Sequence, residues 1–179
     1  MSDYKSIIKG VRRCDSRSQM MFYDLFFRPV YSSAYAITEN ESEAEEIAQD
    51  TMLKVFERTD LINDDAAAMT RIMRRIASNA AIDVIRRRKD FILQSENIPD
   101  NEEVEEEEAG YDFSAEDIKE GIAGLSDGYR SILYLRLFEN MSFAEVADTL
   151  KLNCSTARVQ YTRGIVKLKG LLTKKNVLG

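Results

Sequence analysis

Ser155, Thr156, Arg158, Gln160, Thr162 and Arg163 stand close together near the end of a 179-residue chain, and no carboxylate lies among them. Hydroxyls, an amide and guanidiniums can address phosphate oxygens and base edges, so the chemistry of this set is recognition of nucleic acid. At helical spacing Ala157, Tyr161, Ile165 and Leu168 face inward, leaving Ser155, Thr156, Arg158, Val159, Gln160, Thr162 and Arg163 outside. Histidine is absent, which removes the commonest general base and metal ligand. Cys14 and Cys154 are too few and too isolated for a disulfide framework. The expectation is a protein without catalytic residues, metal or cofactor.

The set needs an element to aim it, and the stretch from Phe143 to Lys169 reads as two helices with a tight turn. Ala144, Val146, Ala147 and Leu150 give the first an apolar face, Leu152 plugs the turn, and Asn153 stands at an N-cap position. The small Ala147 and Ala157 allow close approach at a steep angle, as in a helix-turn-helix. From Lys151 to Gly179 every charged side chain is basic. Such a second helix suits a major groove.

The whole chain carries a net charge of −6, but the charges are segregated. Basic residues gather in Arg71 to Lys89 and after Lys151; acidic ones gather in Glu39 to Asp50 and in Asp100 to Asp112. With 44% hydrophobic and 31% charged residues and two prolines, the composition favours helices with polar surfaces. No apolar run reaches membrane-spanning length and no signal-peptide core opens the chain, so a cytoplasmic location without membrane insertion is expected.

Taken in order, Tyr4 to Arg13 reads as a short helix carrying Ile7, Ile8 and Val11. Met20 to Ile37 holds Phe22, Tyr23, Phe26, Phe27, Tyr31 and Tyr35 at three- and four-residue steps, read as core, with Pro29 breaking or kinking the helix. Glu41 to Arg58 is amphipathic, with Ala44, Ile47, Ala48, Thr51 and Val55 on one face. Leu53 and Phe56 fall off that face and leave apolar surface for a partner. After a polar connection with Asn63, Asp64 and Asp65 as turn or cap residues, Met69 to Lys89 has a core stripe of Met69, Ile72, Met73, Ile76, Ala80 and Val84. Its remaining positions, among them Arg71, Arg74, Arg75, Asn79, Arg86, Arg87, Arg88 and Lys89, form a basic surface suited to a phosphate backbone.

The acidic run that follows lacks an apolar period and is expected to stay extended as a tether. The fold class is therefore all-α: a helical domain at 1–93, an acidic flexible linker at 94–114 and a second helical domain at 115–179. In the last, Ile118, Ile122 and Leu125 mark a helix, and Tyr129 to Asn140 reads as buried, with Ser126 and Asp127 as candidate caps.

Two segments resemble, in order, the conserved domains of bacterial sigma factors, especially the compact extracytoplasmic-function (ECF) group of the sigma-70 family. EAEEIAQDTMLKVFE is similar to the helix that binds the clamp of RNA polymerase, and RIASNAAIDVIRRRK to the helix that reads and opens the minus-ten element. The stretch GLSDGYRSILYLRLFENMSFAEVADTLKLNCSTARVQYTRGIVKLK resembles the domain that reads the minus-thirty-five element. The resemblance implies a sigma factor that binds core RNA polymerase and directs initiation at bipartite promoters. Residue by residue it implies polymerase contacts at Glu46, Gln49, Asp50, Leu53 and Phe56. It implies minus-ten contacts at Arg71, Arg75, Asn79, Arg86 and Arg87, with Asn79 on an extruded base. It implies minus-thirty-five contacts at Ser155, Thr156, Arg158, Gln160 and Arg163. An anti-sigma factor is a common further partner in the family.

The chain departs from the family pattern at several places. Ile72 stands where an aromatic is frequent, and the Thr59 to Ala68 loop has no aromatic, so base capture falls to polar groups or to aromatics elsewhere. Lys151 replaces the usual turn glycine and must adopt a strained conformation or shift the turn. Ala157 is smaller than the usual valine, implying closer packing. Two alternatives remain at this point: a dimeric helix-turn-helix regulator on a palindrome, or a helical polymerase-binding adaptor that does not read DNA.

Overall fold

The three- and four-residue spacing of apolar side chains becomes eight α-helices and one 3-10 turn in the computed structural model, which describes residues 4–88 and 114–178 (side chains through 174). No strand occurs among the described residues. The acidic tether expected at 94–114 lies outside them except for Ser114. No described helix is long and apolar enough to cross a membrane. The chain divides into two compact units, Met1–Val84 and Ile85–Gly179.

The first unit is built from α1 (Tyr4–Val11), α2 (Ser16–Thr38), α3 (Glu41–Glu57), a 3-10 turn (Thr59–Leu61) and α4 (Ala66–Arg86) up to Val84. Asp15 caps α2 by accepting from the Ser18 amide at 2.8 Å and its hydroxyl at 2.6 Å. Those bonds hold the Asp15 carboxyl below its usual range. Glu39, in the left-handed region at φ 50°, and the N-cap Asn40 turn the chain directly into α3. Phe22, Phe26, Val30 and Ile37 of α2 meet Ile47, Ala48, Met52 and Val55 in a core with almost no solvent access. Each large apolar side chain so buried contributes about 1.5–3 kcal/mol.

Two expectations need correction here. Pro29 does not break its helix; α2 runs through it from Ser16 to Thr38. Proline removes one amide donor, which would otherwise bond the Leu25 carbonyl, and Leu25 is 49% exposed, so that carbonyl is in reach of water. The aromatic stripe is not all core. Phe22 and Phe26 are buried, whereas Tyr23, Phe27, Tyr31 and Tyr35 are half-buried and stack along the helix at 4.7, 6.2 and 6.0 Å.

The connection from α3 to α4 is pinned by α1 and the residue just after it. The Tyr4 hydroxyl donates to the Asn63 carbonyl at 2.8 Å, and Arg12 Nη2 donates to the Ile62 carbonyl and to Asp64, both at 3.1 Å. Asn63 Oδ1 accepts from the Asp65 amide, and Asp65 Oδ1 accepts from Ala68 at 2.6 Å, capping α4 as a turn-and-cap pair.

The second unit contains α5 (Ala115–Ala123), α6 (Asp127–Leu137), α7 (Phe143–Leu150) and α8 (Cys154–Leu178). Ser114 and Asp117 form a capping box at the start of α5. Ser126 occupies the N-cap of α6 without a side-chain cap bond; Asp127 instead pairs with Arg130 at 3.0 Å. Arg130 is itself buried and donates to the Leu125 carbonyl at 2.8 Å, closing the α5–α6 turn. Ile132, Leu133 and Leu135 of α6 form the centre against which α7 and α8 pack.

Candidate nucleic-acid interface

The helix-turn-helix is fixed at four points. Ser142 and Glu145 form a capping box at the start of α7. Lys151 takes the left-handed conformation at φ 58°, ψ 44°, so the turn keeps its glycine-like geometry with a lysine in it. The amide of Leu152 donates to the Ala147 carbonyl at 2.8 Å, closing the end of α7. Asn153 then caps α8, its Oδ1 accepting from the Thr156 amide at 2.6 Å and from the Ser155 hydroxyl at 2.8 Å.

Burial along α8 decides which side chains can meet a ligand. Ala157, Gln160, Gly164, Leu168 and Leu172 form the buried row, a three-then-four step pattern. Gln160, expected on the reading face, is only 3% exposed and belongs to this inner row. The inward row runs through position 160 rather than 161, so a polar side chain is enclosed there. Val159 is likewise buried at 7%, while Tyr161 and Ile165 are half-buried flanks. Ala144 of α7 is exposed, not part of the packed face. At Gly164 an added Cβ would lie 3.2 Å from Leu133 Cγ and 3.3 Å from Tyr129 Cδ1, so α6 and α8 touch there nearly backbone to side chain.

Arg158 and Arg163 are exposed, and Ser155 and Thr156 are half-buried at the start of α8. Thr162 lies on the Arg158 side, donating from Oγ1 to the Arg158 carbonyl at 3.2 Å, and Val166 one turn on is 62% exposed. The outward face is thus Ser155, Arg158, Thr162 and Val166, with Arg163 beside it. Two cations, hydroxyls and a methyl-bearing patch are the groups a major groove can engage.

In α4, Arg71, Arg75 and Asn79 recur at four-residue steps and are all exposed; Arg86 and Arg87 at its end are exposed too. Arg74 differs, donating from Nε to Ser33 Oγ on α2 at 3.0 Å, a packing role. The core stripe is the expected one only in part: Met69 and Met73 are buried as expected, together with Ala77, Ser78, Ala81 and Ile82, whereas Ile72, Ile76, Ala80 and Val84 are half-buried. A four-residue step advances 400°, so the buried row drifts across the helix rather than holding one line. Asp83, exposed, continues the Arg71–Asn79 row with a carboxylate.

On α3, Glu46, Gln49, Asp50 and Leu53 all face solvent, Leu53 at 58%. Phe56 does not join them as free surface; it is half-buried and meets Phe22 edge to face at 5.8 Å. Beside this face, partial burial and then Glu41, Tyr35 and Glu45 push the Tyr31 phenol above its usual range. The surface offers a partner an acidic rim around an exposed leucine.

Residues 22–91 match the family described as Sigma-70 region 2, and residues 115–168 the family described as Sigma-70, region 4. Over 173 residues the chain is 26% identical to the ECF RNA polymerase sigma factor SigW of Bacillus subtilis, covering 89% of this chain and 91% of that protein. It is 26% identical over 152 residues to the ECF RNA polymerase sigma factor SigE of Mycolicibacterium smegmatis, covering 81% of this chain and 58% of that protein. Among solved structures, the sigma factor RpoE from Bartonella quintana, crystallised with the anti-sigma factor NepR, shares the fold at a TM-score of 0.50 and 21% identity. That match covers 86% of this chain and 96% of the other.

Proposed function

This chain belongs to the ECF group of the sigma-70 family, and from that membership we propose that it binds core RNA polymerase and directs promoter-specific initiation. The observation that carries the reading is the order of the two family regions in one chain, the second presenting a capped helix-turn-helix with Arg158 and Arg163 exposed. In this reading residues 1–93 bind polymerase and the minus-ten element, 94–114 tether, and 115–179 read the minus-thirty-five element. The protein acts in the cytoplasm and performs no bond chemistry; the polymerase does that. An anti-sigma factor is a further partner under the same reading.

Binding to polymerase uses the exposed α3 face of Glu46, Gln49, Asp50 and Leu53. On α4, Arg71 and Arg75 neutralise phosphates, each contact releasing counterions. Asn79, in the same row, has the donors and acceptors to hold an extruded base by its edge. Extrusion costs a few kcal/mol, offset when the base is captured. On α8, Arg158 and Arg163 meet phosphates and base edges, while Gln160 supports the helix from inside. Leu53→Asp tests the polymerase face: co-elution with purified core enzyme should be lost with thermal unfolding unchanged. Undiminished co-elution would remove α3 from the interface.

A further inference from the structure

We propose that Phe143 is a positioning residue for promoter recognition, holding the Arg158 guanidinium in the orientation in which it meets DNA; this rests on the reading of α8 as the DNA-reading helix. An exposed arginine loses much rotamer freedom on binding unless something orders it first. Arg158 Cζ lies 5.4 Å from the Phe143 ring centroid, inside the range of a cation–π contact.

The ring is itself held from several sides. Arg136, on α6, places its Cζ 4.3 Å from the same centroid, and its Nη1 donates to the Met141 carbonyl at 2.6 Å. Tyr161, on α8, meets the ring edge to face at 5.4 Å and 77°, and Arg136 also lies 5.7 Å from the Tyr161 centroid. Phe143 is the first residue of α7, directly after the Ser142 cap, so its backbone is fixed as well. A continuous path therefore runs from the Met141 carbonyl through Arg136 and Phe143 to Arg158.

The charges specify the kind of ligand. The ring attracts each guanidinium, while the two guanidiniums repel one another. A polyanion at this face removes that repulsion and leaves both attractions in place. Free protein thus keeps Arg158 ordered at some electrostatic cost, and nucleic acid relieves it.

The test uses holoenzyme assembled from core polymerase and the full-length chain, with affinity and base preference measured across the upstream promoter element. Phe143→Leu keeps bulk and removes the π face; it should weaken binding by about 2- to 5-fold, the size of an exposed cation–π contact. It should relax preference at the same base positions that Arg158→Ala relaxes. Adding Phe143→Leu to Arg158→Ala should cost little more, and Phe143→Tyr should restore the wild-type profile. Should the leucine variant unfold, Phe143→Met carries the same comparison. Additive losses in the double variant, or a leucine variant with wild-type preference, would overturn the proposal. A wild-type holoenzyme with no upstream base preference would overturn the reading of α8 beneath it, a result distinct from additivity.

Discussion

Arg158 and Gln160 are two residues apart on α8 and lie in opposite environments. Arg158 projects to solvent, and Gln160 is enclosed at 3% exposure. Arg158→Ala should therefore reduce upstream-element binding by about 1–3 kcal/mol if the contact is to a base, with unfolding unchanged. Gln160→Ala should lower stability by about 1–3 kcal/mol, since it truncates a side chain enclosed in the buried row of α8, and leave base preference intact. Parallel urea melts and promoter titrations separate the two. Tyr4 offers a pH handle on the first unit. Burial, then Asp64 and Asp65, push its phenol up to about 12. The folded state favours the neutral phenol, so this contribution is full below the unfolded value near 10 and is lost as pH rises through about 12. Alkaline unfolding followed in wild type and Tyr4→Phe should show a steeper decline in wild type over that window. Parallel curves would remove Tyr4 from the linkage.

At the scale of elements, periodicity made most helices legible and left the facing of particular residues open. The α3 face of Ala44, Ile47, Ala48, Thr51 and Val55 is buried as its spacing implies, because three- and four-residue steps keep those positions within one arc. The aromatics of α2 spread over too wide an arc to enter one core, so Phe22 and Phe26 are buried and the four others stack outside. Gln160 is expected outside with its polar neighbours, but the buried row of α8 passes through it. Lys151 was legible as a departure, and its left-handed conformation follows from a turn that the flanking caps dictate. The close contact at Gly164 had no signal beyond a glycine in a helix. It yields a prediction: Gly164→Val must displace Leu133 or Tyr129 and should destabilise the second unit by about 1–3 kcal/mol. Thermal denaturation measures it, and an unchanged midpoint would show that α8 has room to move.

Over the whole molecule, segregation of charge matters more than its sum. A net charge of −6 coexists with basic faces on α4 and α8 and an acidic, leucine-bearing face on α3. Opposite patches on one chain suit a protein that joins two kinds of partner, a basic protein surface and a polyanion. Promoter binding should accordingly weaken with salt along a straight line in log affinity against log salt. The most direct test of the central claim is transcription by purified bacterial core polymerase on a library of promoter fragments, with and without this protein. The account predicts start-site-defined transcripts only when the protein is present, from fragments sharing two spaced sequence elements. Absence of such transcripts, with discrete binding to a palindrome in the absence of polymerase, would contradict it.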